Sequence, residues 1–317
     1  MFELLFITAV GQVLLPVALA FRLWRVACRN RLEWFLRALP VSAYLFFIAV
    51  AGVWRLAPWG LLYGFALLDS AAAAVSWRRC SRPLPPGNGR NRHGFQAVLD
   101  LLLTAFCAGM LVWALSGYTP PAPPAIDLES PLKNGVFYVV NGGYSILINP
   151  HMKTLKQESL AAYRAQSYAV DIVKSDRFGR RANGWVPEDL ASYYIFGAMV
   201  YAPCSGVVIM TEDRLSDLTA SEGDRLHPAG NFVLLECAEA SVLLAHLMQF
   251  SLPVGPGDRV QTGDPVGRVG NSGMSTEPHL HLHAQGRAGS ENFLAAEPLP
   301  LKVEGRTLVR NDQLVPR

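Results

Sequence analysis

The stretch Pro278-His279-Leu280-His281-Leu282-His283 decides how the second half of this 317-residue chain is read. Side chains alternate faces along a β-strand. In an extended segment the three imidazoles therefore point one way, while Leu280 and Leu282 turn to a core. Imidazoles two residues apart on a strand can share one metal ion, or one can bind it while its neighbour touches the bound water. A solvated polar face would also hold such a run. Three of the chain's seven histidines are gathered here, however, and that favours a built cluster.

The surroundings are rich in strand signals. Apolar, β-branched runs start at Gly135, Ser145, Tyr168, Gly206, Asn231 and Ser241, each bounded by turn residues. Residues 158–165 alone have a helical pattern. Short apolar pieces broken by Gly-Asp turns fill 254–270. Many short strands with frequent turns predict a compact β sandwich or barrel. Ahead of them, Thr119-Pro120-Pro121-Ala122-Pro123-Pro124 reads as an extended arm with little packing.

Several of these segments together resemble the lysostaphin-type, or LytM-like, zinc metallopeptidases. The strongest match is the Gly-rich turn Gly267-Arg268-Val269-Gly270-Asn271-Ser272-Gly273 running through Pro278 into His279-Leu280-His281. Val200-Tyr201-Ala202-Pro203, the Gly230-Asn231 turn, Leu244-Ala245-His246-Leu247 and Tyr168-Ala169-Val170-Asp171 are similar to further family segments. The resemblance covers roughly residues 131–300. It implies a two-sheet β fold of duplicated hybrid motif type and a zinc ion held by Asp171 and His281. It also implies that His246 and His279 flank the zinc-bound water and the scissile carbonyl. Zinc lowers the pKa of bound water to about 7 and polarises the amide as a Lewis acid.

The sequence departs from the family at one ligand. The usual first His, four residues before the Asp, is replaced by Ser167, and a hydroxyl is a poor zinc donor. His151, in Asn149-Pro150-His151-Met152, is the first candidate to supply the missing ligand, and His283 is the second. Glu158 and Gln166 are weaker donors. His227 follows an acidic loop and reads as exposed. Cys204 and Cys237 sit in strand-like runs, where a disulfide and two buried thiols are equally compatible with the pattern.

Working outward to the N-terminus, the first 117 residues are overwhelmingly apolar. Four stretches, 2–21, 39–54, 56–77 and 95–115, approach the roughly 20 residues that cross a bilayer. Trp24, Trp34, Trp54, Trp59, Trp77 and Trp113 fall near their ends, as interfacial aromatics do. Arg22, Arg25, Arg29, Arg31 and Arg37 lie between the first two, and Arg78, Arg79, Arg82, Arg90 and Arg92, with His93, between the last two. The middle loop has only Arg55. Basic loops stay cytoplasmic, so the N-terminus and everything after residue 117 are expected outside the cytoplasm. The start Met1-Phe2-Glu3-Leu4-Leu5 has no positive charge, and the Arg cluster follows the apolar run, the wrong polarity for a cleaved signal. Asp69 and Asp100 are ionisable groups within spans, and neighbouring arginines are their expected partners.

These readings combine into one expectation. Residues 1–117 form a four-span α-helical membrane region, 118–130 a Pro-rich linker, and 131–317 a mainly-β peptidase domain. The chain is then a zinc metalloendopeptidase anchored in the bilayer of the bacterial cytoplasmic membrane, cutting peptidoglycan peptides outside the cytoplasm. The metal ligands would be His151, Asp171 and His281, and the catalytic groups His246 and His279. An inactive relative that binds the cell wall or activates another hydrolase is the alternative. A net charge of +3 is too small to suggest nucleic acid. A lipoyl carrier would need a modifiable Lys on a turn, and none occurs between 175 and 301. The spans read as an anchor, with room for sensing a membrane-protein partner.

Overall fold

The computed structural model describes residues 8–26, 28, 30–54, 60–80, 90–121, 125–219, 222–287 and 290–316. Residues 1–7, Arg29, Arg55, Trp59, Arg82 and the linker's Ala122, Pro123 and Pro124 lie outside them, as do the side chains of Arg90, Arg92 and His93. The chain divides into two compact units, Met1–Leu115 and Ser116–Arg317.

The first unit is helical: α1 (Leu15–Arg25), α2 (Arg31–Ala51), α3 (Gly60–Cys80) and α4 (Arg90–Leu115). Helix α2 starts eight residues earlier than the apolar run. Asn30 caps it by accepting from the Glu33 backbone N–H at 2.8 Å, and a capped N-terminus extends a helix into polar sequence. Pro40, next to the start of the 39–54 apolar stretch, is thereby left inside the helix. Three helices are long and apolar enough to cross a membrane: Arg31–Ala51, Gly60–Cys80 and Gly94–Tyr118. The first apolar stretch is described only from Thr8, as a π-helical turn (Thr8–Leu14) leading into α1. Asp100 is buried and paired with Arg22 and Arg37, as the neighbouring arginines suggest. Cys28 and Cys80 are joined in a disulfide.

The second unit is mainly β. Its strands are β1 (Ile126–Leu128), β2 (Phe137–Asn141), β3 (Val170–Lys174), β4 (Met199–Tyr201), β5 (Gly206–Glu212), β6 (Asn231–Glu236), β7 (Ser241–Leu247), β8 (Arg259–Val260), β9 (Pro265–Arg268), β10 (Leu280–Gln285), β11 (Pro298–Leu299), β12 (Leu301–Val303) and β13 (Gln313–Leu314). One sheet runs β13-β2-β3-β10-β7-β6-β5-β8, with β11 added to β10. The pairs β4-β9 and β1-β12 form two small sheets. Strand β1 comes from within the segment read as linker and pairs in parallel with β12. Cys204 and Cys237 are bridged.

Alternation along the central strands separates two faces. Val170, Ile172, Val242, Leu244, Leu280 and Leu282 point into one apolar core with Val200 and Val266 of the small sheet. Asp171, His281 and His283 are thereby on the opposite face. Two local expectations fail. Residues 145–148 form a turn, because the Ile148 and Asn149 N–H groups both donate back to Ser145 O. The helical stretch becomes a 3₁₀ segment, Glu158–Tyr168, kinked at Tyr163.

Candidate metal centre

The site is built on one row across the sheet. Asn141, Asp171, His281 and Ala245 are register partners on β2, β3, β10 and β7. Neighbouring strands are about 5 Å apart, so a carboxylate and an imidazole in one row meet by construction. Asp171 Oδ1 is 2.9 Å from His281 Nδ1 and 3.6 Å from His279 Nε2. Its Oδ2 is 3.6 Å from His151 Nε2. Ligand atoms of His151, Asp171 and His281 lie within 4.8 Å of one another, and so do those of His246, His279 and His281. All five residues singled out in the sequence therefore converge on one place.

Each imidazole is turned by a partner behind it. His151 rides on a 3₁₀ turn, Pro150–Met152, capped by Asn149. The His151 Nδ1–H donates to Asn149 Oδ1 at 2.9 Å, which leaves Nε2 bare and facing Asp171. Asn149 is itself fully buried, and its amide donates to Gly143 O and Ala169 O. His279 Nδ1–H donates to Glu277 O at 2.8 Å, with Ser275 Oγ at 3.2 Å. His246 Nδ1–H donates to Ser272 O at 2.9 Å. Both rings thus present Nε2 without a proton. A ring nitrogen's role is set by the bond its opposite nitrogen makes.

Two glycines create the His246 contact. Gly230 and Gly273 both have positive φ, and a Cβ on Gly230 would lie 2.4 Å from the Ser272 carbonyl. Only glycine lets these two turns press together, and that approach brings Ser272 O to the imidazole. His246 itself has φ 60°. A left-handed non-Gly residue costs about 1–3 kcal/mol and is typical of functional sites. The turn before His279 is held by a buried ion pair, Arg181 Nε to Glu277 Oε2 at 2.6 Å.

His283 does not face Asp171. Its Nδ1 is 3.0 Å from His281 Nε2, and its Nε2 is 2.8 Å from Gln285 Oε1. Both nitrogens are engaged away from the carboxylate, so His283 stands behind His281. His281 Nδ1 is hydrogen-bonded to Asp171 Oδ1 at 2.9 Å, so Asp171, His281, His283 and Gln285 form one connected buried polar chain.

Burial disfavours the charged form of three of the rings. It depresses His246 well below its usual value, His151 to about 4 and His283 to about 3. Burial pushes Asp171 upward, but the surrounding His151, His279 and His281 outweigh it and hold the carboxyl well below the carboxylate range. Arg310 donates to Asn141 Oδ1 while Asn141 Nδ2 donates to Asp171 Oδ2 at 2.8 Å. Among the described residues, no Lys or Arg pairs with Asp171 directly. A buried carboxylate among three imidazoles is a donor set that could hold a metal ion.

Ser167 is fully buried. Its Oγ lies 2.7 Å from Arg164 O and 2.8 Å from Thr154 Oγ1, and Thr154 Oγ1 is 2.8 Å from His151 O. It therefore packs under the turn that carries His151. The supporting Asn141, Asn149, Gln285 and Arg310 were not singled out in the sequence. Only proximity in the fold marks them. His227 is exposed and bonded to Asp224, and belongs to neither His cluster.

Residues 189–292 match the sequence model of peptidase family M23. The chain therefore carries an M23 peptidase domain of the LytM/lysostaphin type, as the resemblance implied. Peptidoglycan DD-endopeptidase ShyA of Vibrio cholerae is 31% identical over 124 residues, 37% of this chain and 26% of that protein. The chain thus spans about a quarter of the length of this curated relative. Among solved structures, a zinc-containing peptidase from Vibrio cholerae matches at 19% identity and TM-score 0.30 over 51% of this chain and 36% of that one. The catalytic domain of lysostaphin from Staphylococcus simulans matches at 22% identity and TM-score 0.27 over 41% and 74%. The M23 match includes His246, His279 and His281; His151 and Asp171 lie before it.

Proposed function

We propose that this protein is a membrane-anchored zinc metalloendopeptidase that hydrolyses peptide bonds of peptidoglycan. The observation that carries the reading is the convergence of His151, Asp171 and His281, with the bare Nε2 atoms of His246 and His279 beside them. The donor set fits zinc. Bonds of about 2.0–2.2 Å at tetrahedral angles put ligand atoms about 3.4 Å apart, and the ligand atoms of His151, Asp171 and His281 all lie within 4.8 Å of one another. When bound, the metal would polarise the scissile carbonyl and acidify a water molecule.

The protein's own groups do the rest. Asp171, His151 and His281 hold the ion. His246 and His279, each locked by a carbonyl acceptor on Nδ1, offer Nε2 to accept the proton of the attacking water. Once protonated, either ring can hydrogen-bond the developing oxyanion or return the proton to the leaving amine. Peptidoglycan as substrate is supported by the M23 domain and by the named activity of the Vibrio cholerae relative. The test is metal analysis of the full chain together with release of peptide fragments from purified sacculi. Near one zinc per chain and zinc-dependent release are expected. Release that survives complete chelation sinks the proposal.

Asn149→Ala is expected to weaken zinc binding roughly 10- to 100-fold, the usual effect of removing a group that orients a ligand. Competition with a chromophoric chelator measures it, and an unchanged affinity would remove Asn149 from the site.

The same reading places four spans in 1–117, a linker at 118–130 and a domain of the duplicated hybrid motif type at 131–317, outside the cytoplasm. Three apolar helices and the alternating Arg-rich loops support it. The Cys28–Cys80 disulfide opposes that orientation, since such bridges persist in oxidising surroundings. Alkaline phosphatase fused after Arg317 is expected to be active in intact cells. A silent phosphatase fusion with an active cytoplasmic reporter reverses the topology.

A further inference from the structure

The helical unit contains two buried carboxylates with opposite situations. Asp100 has Arg22 and Arg37. Asp69, midway along α3 and 8% exposed, has no hydrogen-bond partner on either oxygen among the described residues. It lines a cavity of about 450 Å³ between α2 and α3 whose walls are otherwise largely apolar. Phe46 and Tyr63, which also line it, are each 65% exposed, so the cavity opens on the outer surface of the helices.

The groove is long. On α2 it runs from Trp34 to Ala49, roughly 22 Å at 1.5 Å per residue. Its walls carry small residues at helical spacing: Ala38, Ser42 and Ala49 on α2, and Ala66, Ser70 and Ala73 on α3. Small residues let another helix approach closely within a bilayer, and polar groups then join the helices. A carboxylate at membrane depth is costly unless paired, and an unpaired one marks a functional site by default.

We propose that this groove seats a membrane helix of a second, different protein that brings a Lys or Arg side chain to Asp69. The inference rests on the membrane reading of residues 1–117. Five of this chain's described arginines are already engaged, which favours a different protein as the source of the cation. Arg22 and Arg37 are engaged with Asp100, Arg79 with Trp24 O, and Arg25 and Arg31 lie over Phe21 and Trp77. The occupant would couple the anchored hydrolase to a membrane complex, so that cleavage happens where that complex sits.

The test uses the full chain, dye-labelled at its C-terminus, in phosphatidylcholine vesicles. The probe is a labelled Leu/Ala membrane helix with one central Lys, compared with the same helix carrying Leu there. Energy transfer should show saturable association, roughly tenfold tighter for the Lys helix. Asp69→Asn should abolish that preference without lowering thermal stability, because it removes a buried unpaired charge. Ala66→Leu should weaken both probes by filling the groove. Equal binding of the two helices overturns the proposal, as does a preference that survives Asp69→Asn. Displacement of the Lys helix by a long-chain amine at equal mole fraction would also overturn it, reassigning the groove to a lipid. A fall in stability of Asp69→Asn would make the residue structural. Failure of the chain to float with the vesicles after carbonate washing overturns the membrane reading itself. Flotation without Lys preference overturns the docking alone.

Discussion

His151→Ala is expected to remove the metal from an otherwise folded chain and to abolish peptide release from sacculi. The loss of zinc affinity should exceed the 10- to 100-fold typical of residues that only orient a ligand, because a donor atom itself is gone. The ring sits on a short 3₁₀ turn whose anchor, Asn149, keeps both carbonyl bonds in the mutant, so the fold should tolerate the change. Zinc stoichiometry, chelator competition and the d–d spectrum of a cobalt-substituted chain give three readouts. Cobalt coordination distinguishes a lost ligand from a merely loosened one. One zinc retained at wild-type affinity would sink the assignment.

The rival third donor, His283, has a different expectation. Its two nitrogens are occupied by His281 and Gln285. His283→Phe should therefore weaken zinc binding by disturbing the His281 tautomer, and should not empty the site. The pH dependence has a definite sign. Burial depresses His151 to about 4 in the folded chain, against about 6.5 unfolded. The unfolded state then takes up the proton first. The metal-free protein accordingly loses stability as pH falls from about 6.5 towards 4, and His151→Ala should lose less over that window.

The site was more legible in the sequence than the fold around it. A period-two His run needs nothing but strand geometry to become a cluster, and β10 supplies it. Asp171 was nominated through the resemblance of Tyr168-Ala169-Val170-Asp171 to a family segment, and β3 then carries it into the row. His151 could be nominated only by elimination, because its approach to Asp171 depends on the turn at 145–148, where the pattern Ser-Ile-Leu-Ile resembles a strand. Two backbone bonds to Ser145 O override that propensity. The supporting amides were invisible for the same reason. Asn141, Asn149 and Gln285 have no periodicity to betray them, and their roles exist only once the strands are in register. In the helical unit, hydropathy located the three helices that are long and apolar enough to cross a membrane. The Asn30 cap moved the start of α2 into polar sequence that a hydropathy window ignores.

His246→Ala is expected to separate chemistry from binding. The residue belongs to the second His triplet but not to the His151, Asp171, His281 set, so the mutant should retain close to one zinc per chain. Activity should nonetheless fall roughly 10²- to 10⁴-fold, the range for losing a positioned proton-transfer or oxyanion-stabilising group. The fall should lie in kcat, because a group that acts on the reacting atoms in the transition state contributes little to ground-state binding. Alanine also relieves none of the backbone strain at φ 60°, so any stability change reports the lost bond to Ser272 O and the lost packing of the buried ring. His246→Gln can replace that bond without accepting a proton at Nε2. If His246 only shaped the turn, glutamine would restore activity. If it handles a proton, glutamine would restore stability and leave turnover as low as in alanine.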